Sequence, residues 1–109
     1  MRNKSWQKFE DLICEYIKEL DPYVRPTKGS GNKGEKQDIK TSLSLGLELK
    51  ERNLKSVYNE DWLQKTIEEI PLHSQKIPVL VTRNKEGKIR VHMEWEDFWE
   101  IYKRSLGNE

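Results

Sequence analysis

The chain has 109 residues, 34% of them hydrophobic and 36% charged, with four Trp and a net charge of +1. That length suits one domain, residues 1–109, with a single modest core, and the apolar periodicity described below argues against disorder. No apolar run approaches the ~18 residues of a membrane span, and residues 1–12 hold no signal-peptide core. A cytoplasmic protein with no membrane partner is the expectation.

Ser5 is a helix N-cap candidate, and Trp6, Phe9, Ile13, Tyr16, Ile17 and Leu20 then recur at helical spacing. Pro22 stops this helix, because the residue before proline leaves the helical region. The single cysteine, Cys14, lies beside the apolar stripe and reads as a buried small hydrophobe. With no second cysteine there is no disulfide and no Cys-based zinc site. Glu10 falls next to Trp6, Ile13 and Ile17 at the margin of the stripe, whereas Asp11, Glu15 and Glu19 point away. An acid at that margin needs a partner, either a lysine or a metal.

Residues 23–25 suit a short strand, and residues 26–36, PTKGSGNKGEK, form a loop without apolar side chains. Its GSGNKG formally satisfies G-x-G-x-x-G. A dinucleotide fingerprint, however, needs a strong strand before it and a helix opening at its last glycines. EKQDIK follows instead and reads as strand, so no nucleotide cofactor is expected. Glycines that let the main chain approach closely, among lysines, suit a phosphate backbone better.

A weak strand over residues 37–42 is followed by a stronger one over residues 45–52. In the latter Leu45, Leu47 and Leu49 share one face, and Glu48, Lys50 and Arg52 project from the other. If the two strands pair antiparallel, Asp38 can lie near Glu48. Two carboxylates at that range repel unless a cation sits between them, and hard oxygen donors suit Mg²⁺. A polar outer face with cross-strand charge pairs is the equally matched alternative.

Asn59 is an N-cap for a second helix carrying Leu63, Ile67 and Ile70 and stopped by Pro71. Residues 77–82, centred on PVLV, read as a strand buried on both faces. Residues 84–88 contain Glu86-Gly87 and turn into a strand over residues 89–93. A last helix, residues 96–104, carries Phe98, Trp99, Ile101 and Tyr102. Trp62, Trp95, Trp99 and Tyr102 read first as core aromatics, with a subunit interface as the alternative. His73 and His92 are too separate to suggest a zinc site or a triad. The order α-β-β-β-α-β-β-α gives a mixed α/β (α+β) fold, a central mixed sheet flanked by helices. Basic residues gather in residues 1–9, 24–36 and 83–90, and acids near the C-terminus, which admits one positive face or simply a mixed solvated surface.

Glu10 on the first helix, Lys28-Gly29-Ser30-Gly31 before Asp38, Glu48-Leu49-Lys50, and PVLVTR later in the chain resemble the PD-(D/E)XK nuclease superfamily. Within it the chain is most similar to the small archaeal and phage Holliday junction resolvases. The resemblance runs from Trp6 to about Phe98 and implies a restriction-endonuclease-like core. It implies that Asp38, Glu48 and Glu10 hold Mg²⁺, with Mn²⁺ able to substitute, and that Lys50 is the catalytic lysine. Ser30, Arg25, Lys28, Lys33 and Arg52 then contact DNA. Gln37 stands where the superfamily's name has proline, and Glu35 competes with Asp38 as the metal acid. Asp38 is preferred, because Ile39 beside it reads as a core residue anchoring a strand. The implied activity is Mg²⁺-dependent endonucleolytic resolution of four-way DNA junctions by a homodimer, leaving 5′-phosphate ends. Rival expectations are another nuclease of the superfamily, acting on flaps, ends or specific sites, and a non-catalytic DNA-binding module.

Overall fold

A computed structural model describes residues 5–27 and 38–107. Eight elements follow the expected order: α1 (Ser5–Ile17), β1 (Arg25–Pro26), β2 (Ile39–Lys40), β3 (Leu45–Glu51), α2 (Glu60–Glu69), β4 (Ile77–Arg83), β5 (Ile89–His92) and α3 (Trp95–Ser105).

The central sheet has strand order β3-β4-β5, with β3 and β4 parallel and β4 and β5 antiparallel. Parallel neighbours need a crossover, and α2 supplies it. Val79 to Thr82 are all buried, as a strand covered on both faces requires. Because side chains alternate, Val79 and Val81 face one layer and Leu80 and Thr82 the other. The first layer is α1, whose Phe9, Ile13 and Cys14 form one cluster with Val24, Ile39, Leu47, Val79 and Val81. The second is α2, which contributes Leu63 and Thr66 and packs on β4 and β3.

The register of β3 on β4 sets the polar face. Leu47 stands beside Val79 and Leu49 beside Val81, on the α1 side. Glu48 therefore stands beside Leu80, and Lys50 beside Thr82, on the side that α2 covers. Buried leucines thus turn these two charged residues toward a helix rather than toward open water.

Local chemistry sets the ends of the elements. The Asn59 side chain accepts a 2.8 Å hydrogen bond from the Asp61 amide, which caps α2. Asn84 Oδ1 accepts from the amides of Glu86 and Lys88, and Gly87 takes φ +82°, which closes the β4–β5 turn.

Besides α1, which stops at Ile17 short of Pro22 and has Ser5 as its first residue instead of its cap, three expectations need correction. The weak strands shrink to two residues each, and β2 forms its ladder with β1 in a separate small sheet, pairing Arg25 with Lys40 and Pro26 with Ile39. It could not pair as a long hairpin with β3, because residues 41–44 form a turn held by buried groups. The carboxylate of buried Asp21 accepts from Thr41 Oγ1 and the Ser42 amide, and Lys76 Nζ donates to the carbonyls of Thr41 and Leu43. Secondly, α3 begins at Trp95, one residue earlier than expected. Thirdly, its aromatics are not core: no residue of α3 is buried, and Trp95, Trp99 and Tyr102 are exposed. Helical periodicity marks an amphipathic face but not what covers it.

Candidate metal centre

Asp38 reaches β3 without belonging to a ladder with it. Its amide donates to the Leu47 carbonyl at 2.9 Å, and its carboxylate accepts from the Leu49 amide at 2.8 Å. The side chain thus does the work of a strand carbonyl and clamps Asp38 to either side of Glu48. On its other side the Asp38 carbonyl accepts from the Thr27 amide at 3.0 Å, which ties Asp38 to the end of β1. Asp38 and Glu48 come together as expected, through one side-chain clamp instead of a hairpin.

Electrostatics record this proximity. Burial pushes the Glu48 carboxyl up to about 7, and the Asp38 charge adds to the rise; Lys50 opposes it, Glu69 adds to it and Lys65 opposes it. Asp38 is also raised, first by burial, with the Leu49 amide and the Lys50 charge pulling it back. Two like charges sharing a half-buried position cannot both ionise freely. Lys50 is the nearest compensating charge, its Nζ standing 3.9 Å from a Glu48 oxygen. That is the outer limit of an ion pair, so the lysine attends the carboxylate without saturating it.

The α2 side of the site was not legible beforehand. Trp62, Lys65 and Glu69 lie at i, i+3 and i+7, hence on one face of the helix. Lys50 Nζ lies 5.5 Å from the centre of the Trp62 ring, and the Arg52 guanidinium 4.9 Å from it. Each distance is within cation–π range. Glu69 and Lys65 act on Glu48 through their charges. The available signal was the spacing of these three beside Leu63 and Thr66, which turn the helix toward the sheet.

Other expected site residues are placed more loosely. Glu10 is half-buried on α1, the helix that covers the opposite face of the sheet from Glu48. Among the described residues no three His, Cys, Asp or Glu side chains come close enough to hold a metal, so Glu10 does not join Asp38 and Glu48 in a three-acid group. Arg25 is exposed on β1 with Lys40 opposite it. Arg52 borders an open groove of about 460 Å³ lined also by Ser5, Trp6, Glu51, Arg83 and Lys85. Within the groove Arg83 Nε is 3.3 Å from Glu51 Oε2, and Ser5 Oγ also bonds to Glu51. Lys28, Ser30, Lys33 and the competing acid Glu35 lie outside the described residues.

The pair is a chemically suitable seat for Mg²⁺, which takes one or two carboxylates and otherwise keeps its waters. Both donors are hard oxygens, and a cation would relieve the repulsion that raises both carboxyls. No helix among the described residues is long and apolar enough to cross a membrane. No protein-family model, curated protein or solved structure matches the chain.

Proposed function

We propose that this protein is a Mg²⁺-dependent, structure-selective DNA endonuclease that resolves four-way junctions by hydrolysing phosphodiester bonds. The observation that carries the reading is the Asp38–Glu48 pair, half-buried, clamped by backbone hydrogen bonds, with Lys50 beside it. Asp38 and Glu48 are the residues that would hold the metal. A bound Mg²⁺ supplies a Lewis acid and a water of lowered pKa. Lys50 places a positive charge where the attacked phosphate accumulates negative charge. Trp62 restrains Lys50 and Arg52 from below, so that neither long side chain must be ordered at the moment of reaction. Arg52 leads from the carboxylates to the groove with Trp6, Arg83 and Lys85, a course suited to the backbone of a strand entering or leaving the site. The preference for a four-way junction rests on the resemblance to resolvases and on symmetry. Two equivalent strands call for two sites related by a twofold axis, and hence for two copies of the chain.

The test uses labelled four-way junctions, flaps and linear duplexes, with Mg²⁺ or with chelator. Symmetric junction cleavage in Mg²⁺, abolished in Asp38→Asn with binding retained, is the expected result. Asparagine keeps an oxygen acceptor for the Leu49 amide, so the clamp survives while the charge is lost. Junction binding without any cutting in Mg²⁺ or Mn²⁺ would overturn the proposal.

A further inference from the structure

α3 is amphipathic, yet it buries none of its residues. Trp95, Phe98, Trp99, Ile101, Tyr102 and Leu106 are between 38% and 71% exposed. Four of them form a continuous ring stack: Trp95 on Trp99 at 5.6 Å and 15°, Trp99 on Tyr102 at 5.7 Å and 25°, and Phe98 on Tyr102 at 6.2 Å and 16°. At ~150–250 Å² per large side chain, these residues present roughly 500 Å². That is already a large part of the ~800 Å² each partner gives to a standard interface. A stripe this wide on so short a helix is a candidate docking surface, at the upper end of what a monomer exposes.

The charges around the stripe indicate what covers it. Glu96 and Asp97 lie in the first turn of α3, and Lys103 and Arg104 in the last. Such a layout also suits the helix dipole, so the ends alone decide nothing. The flank does. At 100° per residue Glu96 and Lys103 project within about 20° of one another along one border of the aromatic stripe. Two copies of α3 packed antiparallel about a twofold axis near Trp99 bring that border against itself. Glu96 then meets Lys103 of the partner subunit, and the symmetry repeats the pair. A parallel pair about a twofold axis would put this border on opposite sides of the seam in the two copies, so Glu96 and Lys103 would not meet. In one chain Lys103 is 3.0 Å from Glu100, but that pair is exposed on both sides and is given up at little cost.

We infer that α3 is a self-association surface, on which a second copy of this chain packs its own α3 antiparallel through Trp95, Trp99 and Tyr102. This does not rest on the nuclease reading, and its test reads assembly rather than cleavage. Sedimentation equilibrium on the full chain, from low to high micromolar concentration, is expected to show a monomer–dimer equilibrium. Trp99→Glu should weaken it by about 30-fold or more, the loss typical of a central aromatic anchor. Circular dichroism should be little changed, because Trp99 lies on the surface and fills no core position, its contacts being the stacks on Trp95 and Tyr102. Glu96→Lys and Lys103→Glu should each weaken the dimer by several-fold, and the double swap should restore it. A chain that stays monomeric throughout, a dimer indifferent to Trp99→Glu, or a double swap no better than its single components would each overturn the assignment. A purely structural role for α3 predicts the last of these.

Discussion

The polar face of β3 and the outer face of α3 break the ordinary rule of burial in opposite senses. β3 places the carboxylate of Glu48 beside Asp38 under a helix, where burial lifts it to about 7. α3 leaves two of the chain's four tryptophans, Trp95 and Trp99, largely in water together with Phe98 and Tyr102. Neither arrangement helps an isolated chain to fold. A half-buried pair of acids is costly without a counter-charge, and an uncovered aromatic stripe forgoes the stabilisation its area could supply. The two proposals answer them separately: a cation at the first, a second polypeptide surface at the second. The difference lies in what each needs. The strand site lacks charge, whereas the helix lacks area.

The largest expected effect is at Glu48. Glu48→Gln should reduce junction cleavage by about 10³-fold, the scale on which loss of a preorganised electrostatic group is felt. The metal-free protein should nevertheless become more stable near about pH 8. The sign follows from linkage. A carboxyl whose folded pKa exceeds its unfolded value stabilises the fold at low pH, and that contribution is lost as pH rises from about 4.5 to about 7. Glutamine removes the burden that remains above that window. Mg²⁺ should therefore raise the melting temperature of the wild type more at about pH 8 than at about pH 5. The substitution should shrink that difference. Equal Mg²⁺ shifts at both pH values would break the comparison, since the strand site would then not be short of positive charge.

A smaller effect is expected at Trp62, where the polar site meets an aromatic. Trp62→Leu keeps apolar cover on β3 but removes the ring beneath Lys50 and Arg52. A cation–π contact contributes about 0.5–1 kcal/mol when exposed. Cleavage under single-turnover conditions should fall by about 3–10-fold, with little change in melting temperature. A loss as large as that for Glu48→Gln would give Trp62 a part in the chemistry itself.

What could be read from the sequence divides along physical lines. Signals that act within a few residues were reliable: the Asn59 cap, the stop at Pro71, the turn before Gly87, and the leucine alternation that turns Glu48 and Lys50 together. Asp38 near Glu48 was also legible, though the route differed, because a carboxylate replaced a strand partner. The contribution of Trp62, Lys65 and Glu69 was not legible. It depends on the crossover that lays α2 over the polar face of β3, and sequence periodicity contains no such distance. For the same reason the stripe on α3 could be seen but not its exposure. Glu10 shows the limit clearly: its margin position on α1 was read correctly as half-buried, but α1 lies across the sheet from Glu48.

The smallest expected effect sharpens the contrast most directly, and it is a near-absence. Trp95 is 63% exposed, and its ring stacks on Trp99 and tilts against Phe98. In a dilute, monomeric sample Trp95→Gln gives up ring contacts of about 0.5–1.5 kcal/mol but opens no cavity. Glutamine is the better helix former of the two, which returns a few tenths of a kcal/mol. The melting free energy should therefore change by less than about 1 kcal/mol. Phe9→Ala, which empties a core position on α1, should cost about 3–5 kcal/mol. If Trp95→Gln cost as much as Phe9→Ala at every concentration, α3 would be held by its own chain and the helix face would need no partner. If its cost instead grows with protein concentration, the missing stability belongs to the assembly, as mass action requires of a surface whose covering is a second molecule.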